Sequence, residues 1–149
     1  MRKARPGDAD RIDALLRDCA LPARGAHAGS VYFVAERDDG ELLGAAGLEP
    51  YDSDGLLRSV AVDAGARGAG LGARLTGAIL DEARRRGLRA VYALTTTAED
   101  YFPRLGFSAI PRADVPATVR SSEEFAALCP STATALVLVL GEPPQRCAS

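Results

Sequence analysis

The sequence predicts a single α/β (α+β) domain in which a central mixed, mostly antiparallel sheet is flanked by helices. Three observations predict it. Strand-type and helix-type apolar patterns alternate along the chain. Two polar connections, Asp38-Asp39-Gly40 and Pro50 to Gly55, join three successive strand-like segments into a meander. A glycine-rich stretch then opens one long helix, which crosses over to the next strand. The 149 residues fit one domain, enough to bury roughly 68–70 % of the unfolded surface. No internal repeat or long linker divides it. The expectation is one domain over 1–140 with a flexible tail over 141–149.

The elements follow in order. Arg2 to Arg5 reads as a short first strand. Pro6-Gly7-Asp8 turns the chain, and Asp8 caps a helix in which Ile12, Leu15, Leu16 and Cys19 recur at helical spacing. Leu21-Pro22 ends it, and residues 22–30 read as a loop. Val31 to Arg37 and Glu41 to Leu48 are strands about Asp38-Asp39-Gly40, the strongest hairpin signal in the chain. Gly55 to Val62 is the third strand. After Gly65 to Gly72 a helix runs to about Arg86, with Leu71, Leu75, Ala78, Ile79 and Ala83 on one face and Gly87 as its C′ stop. Ala90 to Thr95 is a strand. Ala98 to Leu105 is a short helix closing at Gly106. Ser121 to Leu128 suggests a further helix capped by Ser121 or Ser122, and Ala133 to Leu140 is the last strand.

Composition excludes several classes. Hydrophobic residues make up 47 % and charged residues 26 %, ordinary for a soluble globular protein. A net charge of −2 gives no nucleic-acid footprint, which needs a clearly basic face. The N-terminus, Met1-Arg2-Lys3-Ala4-Arg5-Pro6, has no apolar run behind it, so no secretory signal is expected. No stretch approaches the ~20 apolar residues that span a membrane. The cysteines, Cys19, Cys129 and Cys147, are odd in number and form no CxxC pair. Neither a disulfide framework nor a zinc site is indicated, no metal is expected, and a reducing cytoplasm is the simplest setting. His27 is the only histidine, and nothing around it resembles a nucleophile elbow.

The informative segment runs from Leu57 to Gly72, where a strand feeds a glycine-rich turn that opens a helix. Glycines let the backbone approach a ligand with no Cβ in the way. The first helical turn offers free N–H groups and the positive end of the dipole. Together they suit a pyrophosphate, with Arg67 and Arg74 adding positive charge. A Walker A loop is excluded because the segment ends Gly72-Ala73-Arg74, without the lysine and hydroxyl that motif needs. A Rossmann fingerprint requires a parallel βαβ context, whereas the strands here are hairpin-connected.

Arg67-Gly68-Ala69-Gly70-Leu71-Gly72, following Val60-Ala61-Val62-Asp63, resembles the acetyl-CoA-binding motif of the GNAT superfamily. Tyr101-Phe102-Pro103-Arg104-Leu105-Gly106-Phe107 is similar to that superfamily's downstream aromatic-x-x-Leu-Gly-Phe signature. The resemblance covers roughly residues 2 to 140. It implies a GNAT fold and an acetyl-CoA-dependent N-acetyltransferase acting by direct attack on the thioester. It places Val60, Ala61 and Val62 along the pantetheine arm and Arg67, Gly68, Gly70, Leu71 and Gly72 at the pyrophosphate. It adds Arg104 to the cofactor-binding set. The thioester would lie where the Ala90–Thr95 strand splays from its neighbour, with a backbone N–H near Val60 as oxyanion donor.

The pattern breaks at the general acid. The tyrosine of many members is Phe102 here, which has no proton to give. Tyr101, a water on a Thr95–Thr97 hydroxyl, or Cys129 could take its place, or the thiolate could leave unassisted. Glu49 is the candidate general base, ahead of Glu99 and Glu124.

A narrower likeness rests on three stretches: Leu56 to Val62, Thr95-Thr96-Thr97, and Val115 to Ser131. They are similar to acetyltransferases of arsenic-resistance operons, second type, whose wider group acetylates amino-acid-like toxins. Arg58, Ser59, Thr95 and Arg120 are the substrate-side candidates, the arginines suiting a carboxylate, phosphinate or arsonate. Arg112 flanks the same late segment. Cys129 reads as packing rather than as an arsenic ligand. A small-molecule acceptor is therefore expected, with no nucleic acid and no membrane. Peptide N-terminal acetylation and non-catalytic acyl-CoA sensing are the alternatives. The strongly apolar last strand leaves monomer or homodimer open, since it must be covered by one or the other.

Overall fold

The computed structural model describes residues 1–19, 21, 29–95, 101–122 and 134–140. The expectations placed on His27, Thr96, Thr97, Glu99, Glu124, Cys129, Cys147, the Ser121–Leu128 helix beyond residue 122, and the tail lie outside them.

The strands are β1 (Arg2–Lys3), β2 (Val31–Glu36), β3 (Leu42–Tyr51), β4 (Asp54–Val62), β5 (Ala90–Thr95), β6 (Ser108–Ile110) and β7 (Thr134–Val139). The helices are α1 (Ala9–Asp18), α2 (Leu71–Arg85), α3 (Tyr101–Arg104) and α4 (Ala117–Arg120). The strands form one mixed sheet in the order β1-β2-β3-β4-β5-β7-β6. None of the described helices is long and apolar enough to cross a membrane. By internal contacts the chain groups into two compact units, Met1–Glu49 with Leu57–Ile79, and Pro50–Leu56 with Leu80–Ser149.

In the first unit, β1 pairs antiparallel with β2, and β2 with β3, from Val31 opposite Leu48 to Ala35 opposite Gly44. The Asp38-Asp39-Gly40 turn forms as its sequence predicts. Gly40 takes φ 91°, and the Asp39 carboxylate accepts the Glu41 N–H at 3.0 Å. Ile12, Leu15 and Leu16 of α1 pack on Tyr32, Val34, Ala45 and Ala61, so the helical stripe meets the sheet as its spacing requires. Gly44 is where α2 comes down on β3. A Cβ there would sit 2.7 Å from Leu75 Cδ1 and 3.1 Å from the Ala61 carbonyl.

The first strand is shorter than expected, ending at Lys3, although the Ala4 N–H still bonds to Tyr32 O at 2.8 Å; beyond it side chains hold the chain. Asp8 is 3 % exposed. It accepts both Arg2 guanidinium nitrogens at 2.8 and 3.1 Å, the Arg5 N–H at 2.7 Å, and Arg11. Arg2, then the Arg5 N–H and Arg11, hold this carboxyl well below the usual carboxylate range.

In the second unit, α2 ends as Gly87 predicts. Gly87 has φ 74°. The Gly87 N–H bonds to Arg84 O and the Leu88 N–H to Ala83 O, both at 3.0 Å, which is the Schellman pattern. β5 pairs with β7 from Ala90–Val139 to Thr95–Thr134, and β7 with β6 from Ser108–Val137 to Ile110–Ala135. Leu56, Ala90, Tyr92, Val115, Val119 and Ala135 form this unit's core. β6 was not expected; three residues are too short to show a period. Its presence removes the edge argument for a dimer, because the apolar β7 lies between β5 and β6 within the chain.

Two outcomes follow. Gly44→Ala drives a methyl into Leu75 and a backbone carbonyl, so denaturant unfolding should show a loss of about 1–3 kcal/mol. Asp8→Asn should destabilise the protein at neutral pH. A depressed folded-state pKa stabilises above the unfolded value, near 3.9, and that contribution fades as pH falls further. The gap between variant and wild type should therefore close progressively below about pH 4 in acid-unfolding curves.

Candidate active site

Between β3 and β4 the turn is only Asp52-Ser53, with Asp52 at φ 56°, a conformation aspartate tolerates. The polar stretch from Pro50 to Gly55, expected as a connection, thus belongs largely to the two strands. At the far end of the pair the Asp63 N–H bonds to Leu43 O at 2.8 Å. Between those points β4 departs from strand geometry at Ser59, which has φ 61°. Left-handed backbone costs an L-residue roughly 1–2 kcal/mol, and such strain concentrates at functional positions. It also rotates the peptide joining Ser59 to Val60, the expected oxyanion donor.

A buried polar cluster surrounds this residue. Arg58 and Glu49 are each 2 % exposed, and Arg58 Nη1 lies 2.9 Å from Glu49 Oε2. Arg58 Nε donates to Ser59 Oγ at 3.2 Å. Tyr32 OH donates to the same oxygen at 3.3 Å. Tyr32 stands on β2 directly opposite Gly47 of β3. A Cβ on Gly47 would lie 2.6 Å from Tyr32 Cζ, so the missing side chain is what lets the ring cross β3 and reach β4. Glu49, expected as a general base, and Arg58, expected on the substrate side, are thus joined to each other in the interior. Neither Tyr32 nor Gly47 was singled out from sequence. A glycine inside a strand, paired to a residue with a polar tip, was the available signal.

The glycine-rich segment has the backbone its sequence requires. Gly68 and Gly70 take φ 89° and 77°, with open space where a Cβ would stand. Residues 68–70 are exposed just before α2, whose first turn carries donors without intrahelical acceptors. Asp63 caps the preceding turn by accepting the Gly65 N–H at 3.0 Å. Arg67 folds back: its Nε donates to Val62 O at 3.0 Å, and its Nη2 lies 3.7 Å from Cys19 Sγ. Side chain and strand end are therefore tied together. An accessible run of left-handed glycines, a helix start and an anchored arginine fit a pyrophosphate. Val60 and Val62 remain half-buried, whereas Ala61 faces the core.

The other expected residues belong to the second unit. Phe102, at the family's tyrosine position, is 6 % exposed and packs edge-on against Phe107 with centroids 5.5 Å apart. Tyr101 opens α3, and Thr95 ends β5 opposite Thr134. Arg104 is exposed on α3. Arg120 is exposed and curls back, its Nε donating to Val115 O at 2.9 Å. Among the described residues, no group of three or more His, Cys, Asp and Glu side chains is placed to hold a metal.

Comparison with known proteins agrees with this geometry. The Acetyltransferase (GNAT) family matches residues 4–107. An amino-acid acetyltransferase of Neisseria meningitidis serogroup B is 31 % identical over 129 residues, 80 % of this chain but 30 % of its own length. One from Mycobacterium tuberculosis is 37 % identical over 91 residues, 59 % of this chain and 52 % of its own. The chain thus spans about a third to a half of the relatives it matches. Among solved structures, N-acetylglutamate synthase from Neisseria gonorrhoeae, complexed with coenzyme A and N-acetyl-glutamate, superposes with a TM-score of 0.78 at 28 % identity. That match covers 95 % of this chain and 35 % of the synthase. Rv2747 from Mycobacterium tuberculosis, in complex with CoA, gives a TM-score of 0.78 at 29 % identity, covering 93 % of this chain and 98 % of that one. The chain belongs to the GNAT family of acetyltransferases, whose members take their acyl group from acetyl-CoA.

Proposed function

We propose that this chain is an acetyl-CoA-dependent N-acetyltransferase whose acceptor is the α-amine of a small amino acid, glutamate being the first to test. The observation that carries the reading is the continuous unit of left-handed Ser59, strand Val60–Val62 and left-handed Gly68 and Gly70 at the start of α2. It couples an anion cradle to a strand whose backbone geometry is reset where an oxyanion donor is needed. The activities of the similar amino-acid acetyltransferases support the acceptor class. They move the expectation from toxin-like compounds of the arsenic-resistance type toward amino acids.

Acetyl-CoA supplies an activated acetyl group. The residues here supply position and electrostatics. The N–H groups of Gly68, Gly70, Leu71 and Gly72 hold the pyrophosphate, with Arg67 alongside. The Val60 N–H meets the charge that develops on the carbonyl oxygen. Val60, Ala61 and Val62 offer the backbone along which the pantetheine arm lies. A thiol is far more acidic than an alcohol or an amine, so a departing thiolate places less demand on an acid. This agrees with phenylalanine at position 102, and Tyr101 is the acid to test if one is used. Acceptor recognition by Arg120 and Thr95 fits a carboxylate-bearing substrate. A cytoplasmic setting suits the free, unpaired Cys19.

Phe102 also favours a second reading, a non-catalytic acyl-CoA sensor, because the site then needs no acid. Thiol release with a panel of amino acids, peptides, phosphinates and arsonates separates the two. Release stimulated by α-amino acids supports the enzyme. Tight acetyl-CoA binding with no stimulated release favours the sensor, and release with peptides or arsonates alone overturns the acceptor class. Gly70→Ala puts an L-residue at φ 77°, at a cost of roughly 1–2 kcal/mol. The free variant relieves that cost by leaving this conformation, and CoA binding must restore it, so its CoA affinity by calorimetry should fall by up to about five- to thirtyfold.

A further inference from the structure

We propose that Tyr32, Glu49 and Arg58 act as one positioning unit for the reaction, a clamp that holds the Ser59 hydroxyl and so keeps Ser59 left-handed and the Val60 N–H aimed. The inference rests on the acetyltransferase reading above, because it assigns those residues a task in that reaction.

Ser59 Oγ receives two donors from two strands, Arg58 Nε at 3.2 Å and Tyr32 OH at 3.3 Å. Arg58 is itself fixed by Glu49, 2.9 Å away with both side chains buried. Tyr32 reaches across only because Gly47 has no side chain. Ser59 is the residue in this strand with positive φ. A hydroxyl gripped from two sides on a strained backbone restricts rotation about both flanking peptides. The peptide on its C-terminal side carries the Val60 N–H. Glu49 then acts through Arg58 and touches no reacting atom, which differs from a general base. Tyr32 becomes a positioning residue whose phenol never meets substrate.

The softest variant is Tyr32→Phe, which removes one hydroxyl and leaves the ring in place. Loss of aim should lower kcat on the order of tenfold to a hundredfold. KM for both substrates and CoA affinity should stay within about twofold. Ser59→Ala should behave likewise. Ser59→Gly should recover part of the loss, since glycine holds positive φ unaided, and Tyr32→Phe should add little in that background. Glu49→Gln separates the roles by pH profile: loss of the acid limb of kcat/KM would mean a base and overturn the clamp. Wild-type kcat in Tyr32→Phe, or a change in KM alone, would also overturn it.

The clamp has a readout that needs no turnover. The three-bond amide–Hα coupling of residue 59 reports its φ in the free protein. It should shift in the Tyr32→Phe, Ser59→Ala double variant, and an unchanged coupling would overturn the clamp even if no acceptor were turned over. Absence of turnover in the wild type with the coupling shift present would instead count against the acetyltransferase reading and leave the clamp standing.

Discussion

The buried Arg58–Glu49 pair constrains most of what surrounds it. Two charges with almost no solvent contact must be paired and hydrogen-bonded, and removing one partner of such a pair commonly costs 3–5 kcal/mol. Their presence dictates that β3 and β4 bring position 49 to position 58, and that Arg58 turns its remaining donors to neighbours. One of those neighbours is Ser59, whose left-handed backbone departs from strand geometry. The polar interior, the left-handed Ser59 and the Gly47 vacancy under the Tyr32 ring form one interdependent arrangement, because each needs the others to avoid an unmet polar group or a clash.

That arrangement divides the labour of the site. In the proposed reaction, pyrophosphate binding falls to backbone groups on a glycine loop, where side-chain identity matters little and φ matters greatly. The same proposal assigns aiming of the reacting carbonyl to one strained strand residue. Among the described residues proton transfer has no conspicuous side chain: the downstream aromatic is a phenylalanine packed against Phe107, and Glu49 is engaged with Arg58. An acetyl transfer from a thioester tolerates this, since its leaving group is already acidic, and electrostatic preorganisation does most of what the reaction requires.

Legibility in the sequence follows the range of the interactions. The Asp38-Asp39-Gly40 turn, the Gly87 stop, the α1 stripe and the Gly68–Gly72 loop were readable, because local chemistry fixes each within a few residues. β6 was not, since three residues carry no periodicity and it exists only through pairing with β7. Nor was the role of Arg58. Alternation along a strand predicts which face a residue takes, but the left-handed backbone of the next residue, Ser59, breaks the alternation. Tyr32 lies 27 positions from the serine it touches, and only the fold brings them together.

The most direct measurement is an amide NMR titration with CoA, since backbone N–H groups are the proposed cofactor ligands. Largest shifts at Gly68, Gly70, Leu71 and Gly72, joined by Ser59 to Val62, are the expected result. Shifts confined to other residues, or none at saturating CoA, would contradict the assignment of this strand, loop and helix as the acetyl-CoA site.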